Sequence, residues 1–350
     1  MALDSQTLEN SRRRPRIAAV ILNWNGEGLM RKYLPRVIEG TDARLADVIV
    51  ADNGSDDASG AYLDTLEAEG KIRTLRFPQN LGFARGYNEA VAALDYEYIA
   101  LFNSDMYPEK GWDAAILDYF DSHSGTVAVQ PKILSDADHS MFEYAGACGG
   151  FLDRDGYPYC RGRIFAHCEQ DEGQYDAPME VFWASGAAFV VKRQAYLDAG
   201  GLDPEFFAHM EEIDLCWRLR IAGGKIAVVP SARVYHLGGG SLPAGNPRKT
   251  YLNFRNNLLM MHKNLPRARR RGALLRRRLL DALAWCRFVA GLDFANAGAV
   301  WRAHRDYARM SASYPDEADS PDVLASMPQG RISILARHYL MGNKRYSDIF

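Results

Sequence analysis

The sequence predicts an α/β fold built on a mostly parallel sheet with helices on both faces. Short, continuously apolar runs, typical of strands buried on both sides, recur in the first third of the chain. Stretches of helical length separate them, and this alternation is typical of parallel sheets joined by crossover helices. We predict strands at residues 17–22, 48–50, 72–77 and 98–102, and helices at 29–38, at 58–69 and within 80–94.

Turn residues end these strands. The first strand stops at Asn23-Trp24-Asn25-Gly26, the second at Asp52-Asn53-Gly54-Ser55 and the fourth at Asn103-Ser104-Asp105. Gly70 can terminate the second helix, because glycine readily adopts the backbone of a helix C-cap. Ligands of open parallel sheets bind outside the carboxyl ends of the strands. The three polar strand ends therefore predict a binding site at one edge of the sheet, although each alone is also an ordinary turn.

The pattern becomes less regular after about residue 130. Residues 144–176, rich in Gly, Tyr, Arg and Cys, are interpreted as an irregular insertion. The remaining elements are a strand within 181–192 interrupted at Ser185-Gly186, a helix at 211–222, a strand at 225–229 followed by Pro230, and a helix at 248–264. We divide the chain into a polar tail (1–15), a main domain (16–264, with halves 16–130 and 131–264) and a basic helical C-terminal extension (265–350).

Composition narrows the function classes. The 350 residues are 47% hydrophobic and 25% charged, which excludes a disordered or fibrous chain. A net charge of −2 disfavours a globally basic nucleic-acid binder, so no nucleic-acid partner is expected. Five cysteines without a CxxC pair indicate neither a disulfide framework nor a zinc knuckle. No apolar stretch reaches the length of a membrane span, so we expect a cytoplasmic protein.

Five motifs, in this order, resemble those of family 2 glycosyltransferases, which have the Rossmann-like GT-A fold and invert the anomeric centre. They are most similar to the bacterial rhamnosyltransferase-like enzymes of cell-surface polysaccharide assembly, over residues 16–264. The motifs are Ile21-Leu22-Asn23-Trp24-Asn25-Gly26, Asp52-Asn53-Gly54-Ser55-Asp56-Asp57, Asn80-Leu81-Gly82-Phe83-Ala84-Arg85-Gly86-Tyr87-Asn88, Asn103-Ser104-Asp105 and Phe207-Ala208-His209-Met210-Glu211-Glu212-Ile213-Asp214.

The resemblance implies that the strand ends bind a nucleotide-diphosphate sugar, the donor. Asp52 is implied to face the nucleotide base, since a carboxylate can accept the N3–H of uracil or thymine. Capping of the following turn is the alternative for Asp52. The other implied donor-binding residues are Asn23, Asn25, Gly82, Gly86, Asn88, Asn103 and Asp105.

A divalent cation, Mg²⁺ or Mn²⁺, is implied at Asp105, the last residue of a motif that is usually Asp-x-Asp. Asn103 replaces the first aspartate here, which keeps an acceptor oxygen but removes a charge. His236, which precedes a glycine-rich run, is implied as a second metal or diphosphate group. The alternatives are a strand-ending turn and a structural histidine.

The same resemblance implies that Glu212 is the general base that takes the proton of the acceptor hydroxyl. The family has aspartate at this position, so the chain departs from it by one methylene. Asp214 is implied as a second catalytic residue that orients the acceptor, and pairing with Arg218 is its alternative. Glu211 either contacts the acceptor or favours the helix N-terminus through the dipole. Trp183 either stacks against the acceptor sugar or lies in the core.

Residues 267–287 have a membrane-binding pattern. Eight arginines stand there against one acid, Asp281, with Leu, Trp and Phe interleaved. Such a basic amphipathic helix is typical of peripheral binding to an anionic membrane surface. RNA binding and packing onto the chain's own domain are the alternatives.

Together these features predict an inverting glycosyltransferase of cell-envelope polysaccharide biosynthesis. It would move a sugar from a UDP- or dTDP-sugar, such as dTDP-rhamnose, to a hydroxyl of a polyprenyl-linked or polysaccharide acceptor. We expect it to be peripheral on the inner face of the cell membrane. One alternative is a sugar nucleotidyltransferase, which normally needs a glycine-rich basic loop after the first strand. The other is a catalytically silent carbohydrate-binding or membrane scaffold protein.

Overall fold

The computed structural model describes residues 15–238, 245–314 and 320–350. The strands are β1 (Ile17–Asn23), β2 (Ala46–Asp52), β3 (Arg73–Arg76), β4 (Tyr98–Phe102), β5 (Met106–Pro108), β6 (Thr126–Ser135), β7 (Gly150–Leu152), β8 (Pro158–Cys160), β9 (Arg163–Ile164), β10 (His167–Cys168), β11 (Met179–Val181), β12 (Ala188–Lys192) and β13 (Lys225–His236). The α-helices are α1 (Glu27–Gly40), α2 (Ser59–Ala68), α3 (Phe83–Ala93), α4 (Trp112–Ser122), α5 (Arg193–Asp198), α6 (Glu211–Ile221), α7 (Pro247–Asn264), α8 (Arg267–Ala290), α9 (Phe294–Met310) and α10 (Val323–Ser326). The polar tail up to residue 14 and the part of the glycine-rich run from residue 239 lie outside the described residues.

One half of the main sheet is parallel, as the sequence predicts. Its order is β3-β2-β1-β4, and each neighbouring pair is parallel. The strands are continuously apolar because both faces are covered by helices. Val20 belongs to the core that contains Val91 of α3, and Ile21 to the core that contains Leu34 of α1. The parallel arrangement brings the carboxyl ends of β1, β2 and β4 to one edge.

The other half makes the sheet mixed, whereas the sequence predicts a mostly parallel one. β12 runs antiparallel to β4 and β6, and β13 runs parallel to β6 but antiparallel to β11 and β5. The prediction that Pro230 follows the last strand is wrong, because β13 continues to His236. Its register with β6 shifts between Val229 and Arg233, so Pro230 lies where the ladder is interrupted. The continuation pairs His236 with Met106 of β5.

A second, four-stranded sheet occupies the stretch interpreted as an irregular insertion. Its order is β10-β9-β8-β7. These strands are only two or three residues long, which is too short for an alternating pattern to show in the sequence. A bridge between Gly150 and Trp183 ties this small sheet to the rest of the chain.

The C-terminal extension packs on the main domain. Leu274 of α8, Tyr307 of α9 and Tyr346 belong to the same hydrophobic core as the strands of the main sheet. The Tyr346 N–H donates to Glu169 (2.9 Å), at the small sheet. None of the helices in the described part of the chain is long and apolar enough to cross a bilayer.

Candidate active site

The polar residues that follow β1 and β2 are joined to one another. Asn23 Nδ2 donates to Asp52 Oδ1 (3.1 Å) and to the hydroxyl groups of Ser55 and Ser59. Asp52 also accepts from Ser55 Oγ (2.6 Å) and from Arg76 (3.3 Å). The Asp52 carboxylate is 5% exposed and connects the two strand ends. Its contact with a nucleotide base remains a prediction.

Two asparagines hold the neighbouring turns. Asn25, with a left-handed φ of 50°, accepts the Asp56 N–H at 2.9 Å. Asn53 donates to Asn80 Oδ1 (3.0 Å) and to the Gly82 carbonyl (3.2 Å), which fastens the loop before α3 to the end of β2. The sequence alone does not indicate this role of Asn53, because its partners are far away along the chain.

The residues of α3 predicted to bind the donor also have contacts inside the protein. Gly82 precedes the helix with a φ of 81°. A Cβ on Gly86 would lie 2.8 Å from Leu22 Cδ1, so this glycine allows α3 to pack closely on β1. Asn88 donates to the Leu202 carbonyl (2.8 Å) and accepts the Leu202 N–H (2.9 Å). Donor contacts of these three residues remain predictions.

Asp105 and His236, the predicted metal pair, are in contact. His236 Nε2 lies 3.1 Å from Asp105 Oδ1, and His236 Nδ1 lies 3.3 Å from Glu143 Oε2. Burial opposes protonation of the imidazole, but the neighbouring carboxylates of Asp105 and Glu143 raise the pKa of His236 to about 9. Burial likewise opposes ionisation of Asp105, and His236 nevertheless holds the pKa of Asp105 below its ordinary value. Glu143 carries no sequence motif and was missed.

The residue types at this point fit a divalent cation. A carboxylate oxygen of Asp105, an amide oxygen of Asn103 and, once its proton is lost, an imidazole nitrogen of His236 are donors that Mg²⁺ or Mn²⁺ accepts. The Asn103 amide nitrogen lies 3.3 Å from His236 Nε2, so the three side chains are neighbours. Within residues 15–238, 245–314 and 320–350, no group of three or more His, Cys, Asp or Glu side chains is arranged to hold a metal ion. A cation at Asp105 would therefore need oxygens from a ligand or water.

A backbone hydrogen bond connects this group to the acidic start of α6. The Asn103 N–H donates to the Ala187 carbonyl at 3.1 Å. The preceding residue, Gly186, packs against Glu212, since a Cβ on Gly186 would lie 3.6 Å from Glu212 Cβ. The N-terminus of α6 thus lies beside the carboxyl end of β4, and the predicted base is on the same sheet edge as Asp105.

Glu211 and Glu212 are adjacent but not equivalent. Each has a buried Oε2 that lacks a hydrogen-bond partner in the described structure. Burial, and then the charge of Glu212, raises the pKa of Glu211 well above its ordinary value. Burial also raises the pKa of Glu212, but backbone N–H groups of α6 and of Gly186 favour its charged form. Burial therefore favours the neutral form of both carboxyl groups, and the backbone N–H groups around Glu212 oppose this effect at Glu212.

The segment before α6 is held in an unusual backbone conformation. Phe207, His209 and Met210 have φ values of 65°, 67° and 76°, a region that non-glycine residues occupy only when their surroundings enforce it. Asn256 of α7 provides that restraint, since its Nδ2 lies 2.8 Å from three carbonyl oxygens of residues 206–209. Arg255 is also buried and donates to two carbonyls at 205–206. Neither contact is indicated by a local sequence pattern, because α7 and residues 205–209 are far apart along the chain.

Asp214 is paired with Arg218, one of the two predicted alternatives. The pair measures 2.8 Å, and Lys263 (2.9 Å) and Asn264 (2.7 Å) of α7 complete the surroundings of the carboxylate. Despite full burial, Arg218 and Lys263 hold the pKa of Asp214 below its ordinary value. Both oxygens are engaged away from solvent, which does not support the prediction that Asp214 is catalytic. We treat it as a positioning residue that joins α6 to α7.

Trp183 lies in the core, so the prediction that it forms an acceptor-binding wall is wrong. It is 2% exposed, and its indole N–H donates to the Phe151 carbonyl at 2.9 Å. The bridge to Gly150 explains this, because the ring of Trp183 fills the space where a Cβ of Gly150 would lie. An exposed aromatic ring near α6 is instead that of Phe207, with the Arg248 guanidinium 4.8 Å from its centre.

The mixed sheet, its flanking helices and the C-terminal helices define a GT-A glycosyltransferase fold. Residues 19–165 match the family "Glycosyl transferase family 2". The match runs from β1 to β9 and ends before α6. The roles of Glu211 and Glu212 therefore do not follow from it.

Two relatives come from Mycobacterium tuberculosis. The chain is 33% identical over 207 residues to its pre-mycofactocin glycosyltransferase, covering 56% of this chain but only 38% of that protein. It is 28% identical over 223 residues to its N-acetylglucosaminyl-diphospho-decaprenol L-rhamnosyltransferase, covering 59% of this chain and 71% of that one. Among solved structures, GalNAc-T7 with UDP, GalNAc and Mn²⁺ is similar with a TM-score of 0.55 and 16% identity, over 72% of this chain and 48% of that chain. That likeness concerns the fold alone.

Proposed function

We propose that this protein is an inverting glycosyltransferase that moves a sugar from a UDP- or dTDP-sugar to a hydroxyl of a lipid-linked or polysaccharide acceptor. The observation that carries the proposal is the shared sheet edge, where Asp105 and His236 are joined through Asn103 and Gly186 to Glu212. The match to glycosyltransferase family 2 supports the reaction class.

In the proposed reaction, Glu212 is the general base. Its buried, unpartnered Oε2 is free to accept the proton of an acceptor hydroxyl, and a raised pKa improves its match to neutral pH. The acceptor oxygen bonds to the anomeric carbon, the bond from that carbon to the diphosphate oxygen breaks, and the proton passes to Glu212. Attack on the face opposite the leaving group inverts the centre. In its neutral form, which the raised pKa of Glu211 favours, Glu211 can donate a hydrogen bond to the acceptor.

On the donor side, Asp52 would accept the N3–H of a pyrimidine base. Asp105 and His236 would hold the divalent cation, which when bound offsets the charge of the departing diphosphate. The solved structure of GalNAc-T7 contains UDP and Mn²⁺, which supports a nucleotide diphosphate and a cation in this fold. Asn53 would keep the loop before α3 in place beside the nucleotide.

The choice of acceptor rests on the relatives. One of them is named as an L-rhamnosyltransferase acting on an N-acetylglucosaminyl-diphospho-decaprenol. By analogy, we propose dTDP-rhamnose as a donor and a polyprenyl-linked glycan as the acceptor. Work on such an acceptor would take place at the inner face of the cell membrane.

We expect UDP and dTDP to bind more tightly than GDP and ADP, and EDTA to weaken the binding. The Asp52 carboxylate matches the pyrimidine edge, and loss of the cation leaves the diphosphate facing Asp105 without compensation. Titration calorimetry with the four nucleotides, in Mn²⁺ and then in EDTA, measures both effects. Equal affinity for the purine nucleotides would remove the role of Asp52. An affinity insensitive to EDTA would remove the metal role of Asp105.

A further inference from the structure

Helices α8 and α9 form an antiparallel hairpin. Asp281 of α8 lies 3.1 Å from His304 of α9, and the Arg278 guanidinium lies 5.3 Å from the ring centre of Tyr307. The helices and the turn between them expose seven large apolar side chains, each 41–75% accessible, which we call the hairpin strip: Leu275, Leu279, Leu283, Trp285, Leu292, Phe294 and Trp301. The three leucines are four residues apart and share one helix face. The register of the hairpin brings Trp301 level with the turn of α8 that carries Trp285.

Nine of the eleven arginines of the hairpin fall into two groups. Arg270 and Arg277 are buried, and Arg269 and Arg276 are paired with Asp322 and Asp155, so these four hold α8 on the protein. A second group is exposed on the same two helices as the strip: Arg271, Arg278, Arg287, Arg302 and Arg305. The sequence left open whether the arginines of α8 pack on the protein or bind an external surface. The structure shows that some of them pack on the protein and that others are exposed.

The charge of the hairpin is strongly positive. Residues 267–310 contain eleven arginines and three aspartates. Asp281 is fully buried against Arg277, Asp293 caps α9 through Asn296, and Asp306 is paired with Arg305. The exposed surface around the strip is thus cationic, because the three aspartates of the hairpin are paired with arginines or cap a helix.

A series of contacts leads from the tip of the hairpin towards the candidate active site. Asn296, in the first turn of α9, donates to the Gly245 carbonyl at 3.1 Å, just before α7. Arg248, in the first turn of α7, lies over the exposed ring of Phe207. Phe207 belongs to the strained segment that leads into Glu211 and Glu212. Short contacts therefore connect the tip of the hairpin, at Phe294, to the start of α6.

We propose that the hairpin strip docks on an anionic lipid bilayer. Its leucine and aromatic side chains would enter the interfacial layer, and the exposed arginines would meet lipid phosphates. The apolar side chains match the acyl region of a bilayer, and the surrounding arginines match its anionic headgroups. An RNA partner gives no reason to expose seven large apolar groups. This proposal does not depend on which sugar the protein transfers.

Co-sedimentation of the full chain with lipid vesicles tests the proposal. We expect binding to vesicles rich in phosphatidylglycerol at low salt, little binding to pure phosphatidylcholine, and release as ionic strength rises. The double variant Leu279→Glu, Leu283→Glu should lower the bound fraction at least tenfold. The matched control is Leu340→Glu, a leucine that is 84% exposed outside the hairpin, and it should bind like the wild type.

Several results would overturn the proposal. These are equal sedimentation of the double variant and the wild type, equal binding to neutral vesicles, and binding to RNA without binding to vesicles. If the wild type does not bind vesicles but forms a dimer, and the double variant is a monomer, the strip would be assigned to contact with a second copy of the chain. If the double variant melts early, Arg287→Glu with Arg302→Glu replaces it, and the same loss is expected. Sugar transfer to a water-soluble acceptor should persist in every variant. If the wild type shows no such transfer, the transferase proposal fails, and the vesicle experiment is unaffected.

Discussion

We expect Glu212→Gln to slow sugar transfer by roughly 10²–10⁴-fold while nucleotide binding is retained, which is the range that general-base catalysis typically supplies. Glutamine keeps the size and hydrogen-bonding capacity of the side chain but cannot take the acceptor proton. The residues proposed to bind the nucleotide lie on other strand ends, so the dissociation constant should not change. Initial rates with saturating donor, together with calorimetry of the nucleotide, measure the two quantities.

Glu211→Gln is the matched control, because it removes a carboxyl group at the next position of the same helix. Burial and the neighbouring charge of Glu212 raise the pKa of Glu211, which favours its neutral acid form. Glutamine resembles that neutral form, so this variant should lose much less activity. Both variants should melt near the wild-type temperature. If Glu211→Gln is inactive and Glu212→Gln is active, Glu211 and not Glu212 is the general base.

Asp214→Ala should destabilise the protein by about 3–5 kcal/mol, the cost of leaving a buried charge without its partner. The substitution removes the carboxylate from between Arg218 and Lys263 and takes an acceptor from Asn264. Because α6 is joined to α7 at this point, activity should fall together with stability. Urea denaturation measures the free energy of unfolding. A change below about 1 kcal/mol, the level of an exposed ion pair, would contradict the assignment of Asp214 as a buried anchor.

The same residue gives a pH dependence with a defined sign. The pKa of Asp214 is lower in the folded protein than in the unfolded chain, so its ionisation stabilises the fold above the ordinary pKa of about 4. This contribution is lost as the pH falls through the lower, folded value. The difference in stability between the wild type and Asp214→Asn should therefore shrink below about pH 4. A difference that grows on acidification would contradict this.

Local patterns were sufficient to predict the parallel half of the sheet. The strand at 98–102 coincides with β4, and 17–22 falls short of β1 by one residue, because turn residues end both runs where the strands end. The polar residues after β1, β2 and β4 do lie at one edge, as parallel strands require. The start of α6 was predicted at Glu211 and is found there.

Long-range pairing explains what the sequence did not reveal. Asn256 reaches the segment before α6 from another helix, and Glu143 meets His236 only because β13 passes beyond Pro230. Trp183 is an aromatic residue of the kind that often lines sugar-binding sites. It is buried instead because it pairs with Gly150, which belongs to a sheet whose strands are too short to recognise in the sequence. In each case the deciding partner lies far along the chain.

Product analysis tests the central claim most directly. The wild-type protein is incubated with Mn²⁺, a panel of nucleotide sugars and a polyprenyl-linked acceptor, and the released nucleotide and the new linkage are identified. We predict release of UDP or dTDP in step with glycosylation of the acceptor, with the anomeric configuration opposite to that in the donor. Formation of pyrophosphate from a sugar phosphate and a nucleoside triphosphate, or a product that keeps the donor's anomeric configuration, would contradict the proposed reaction.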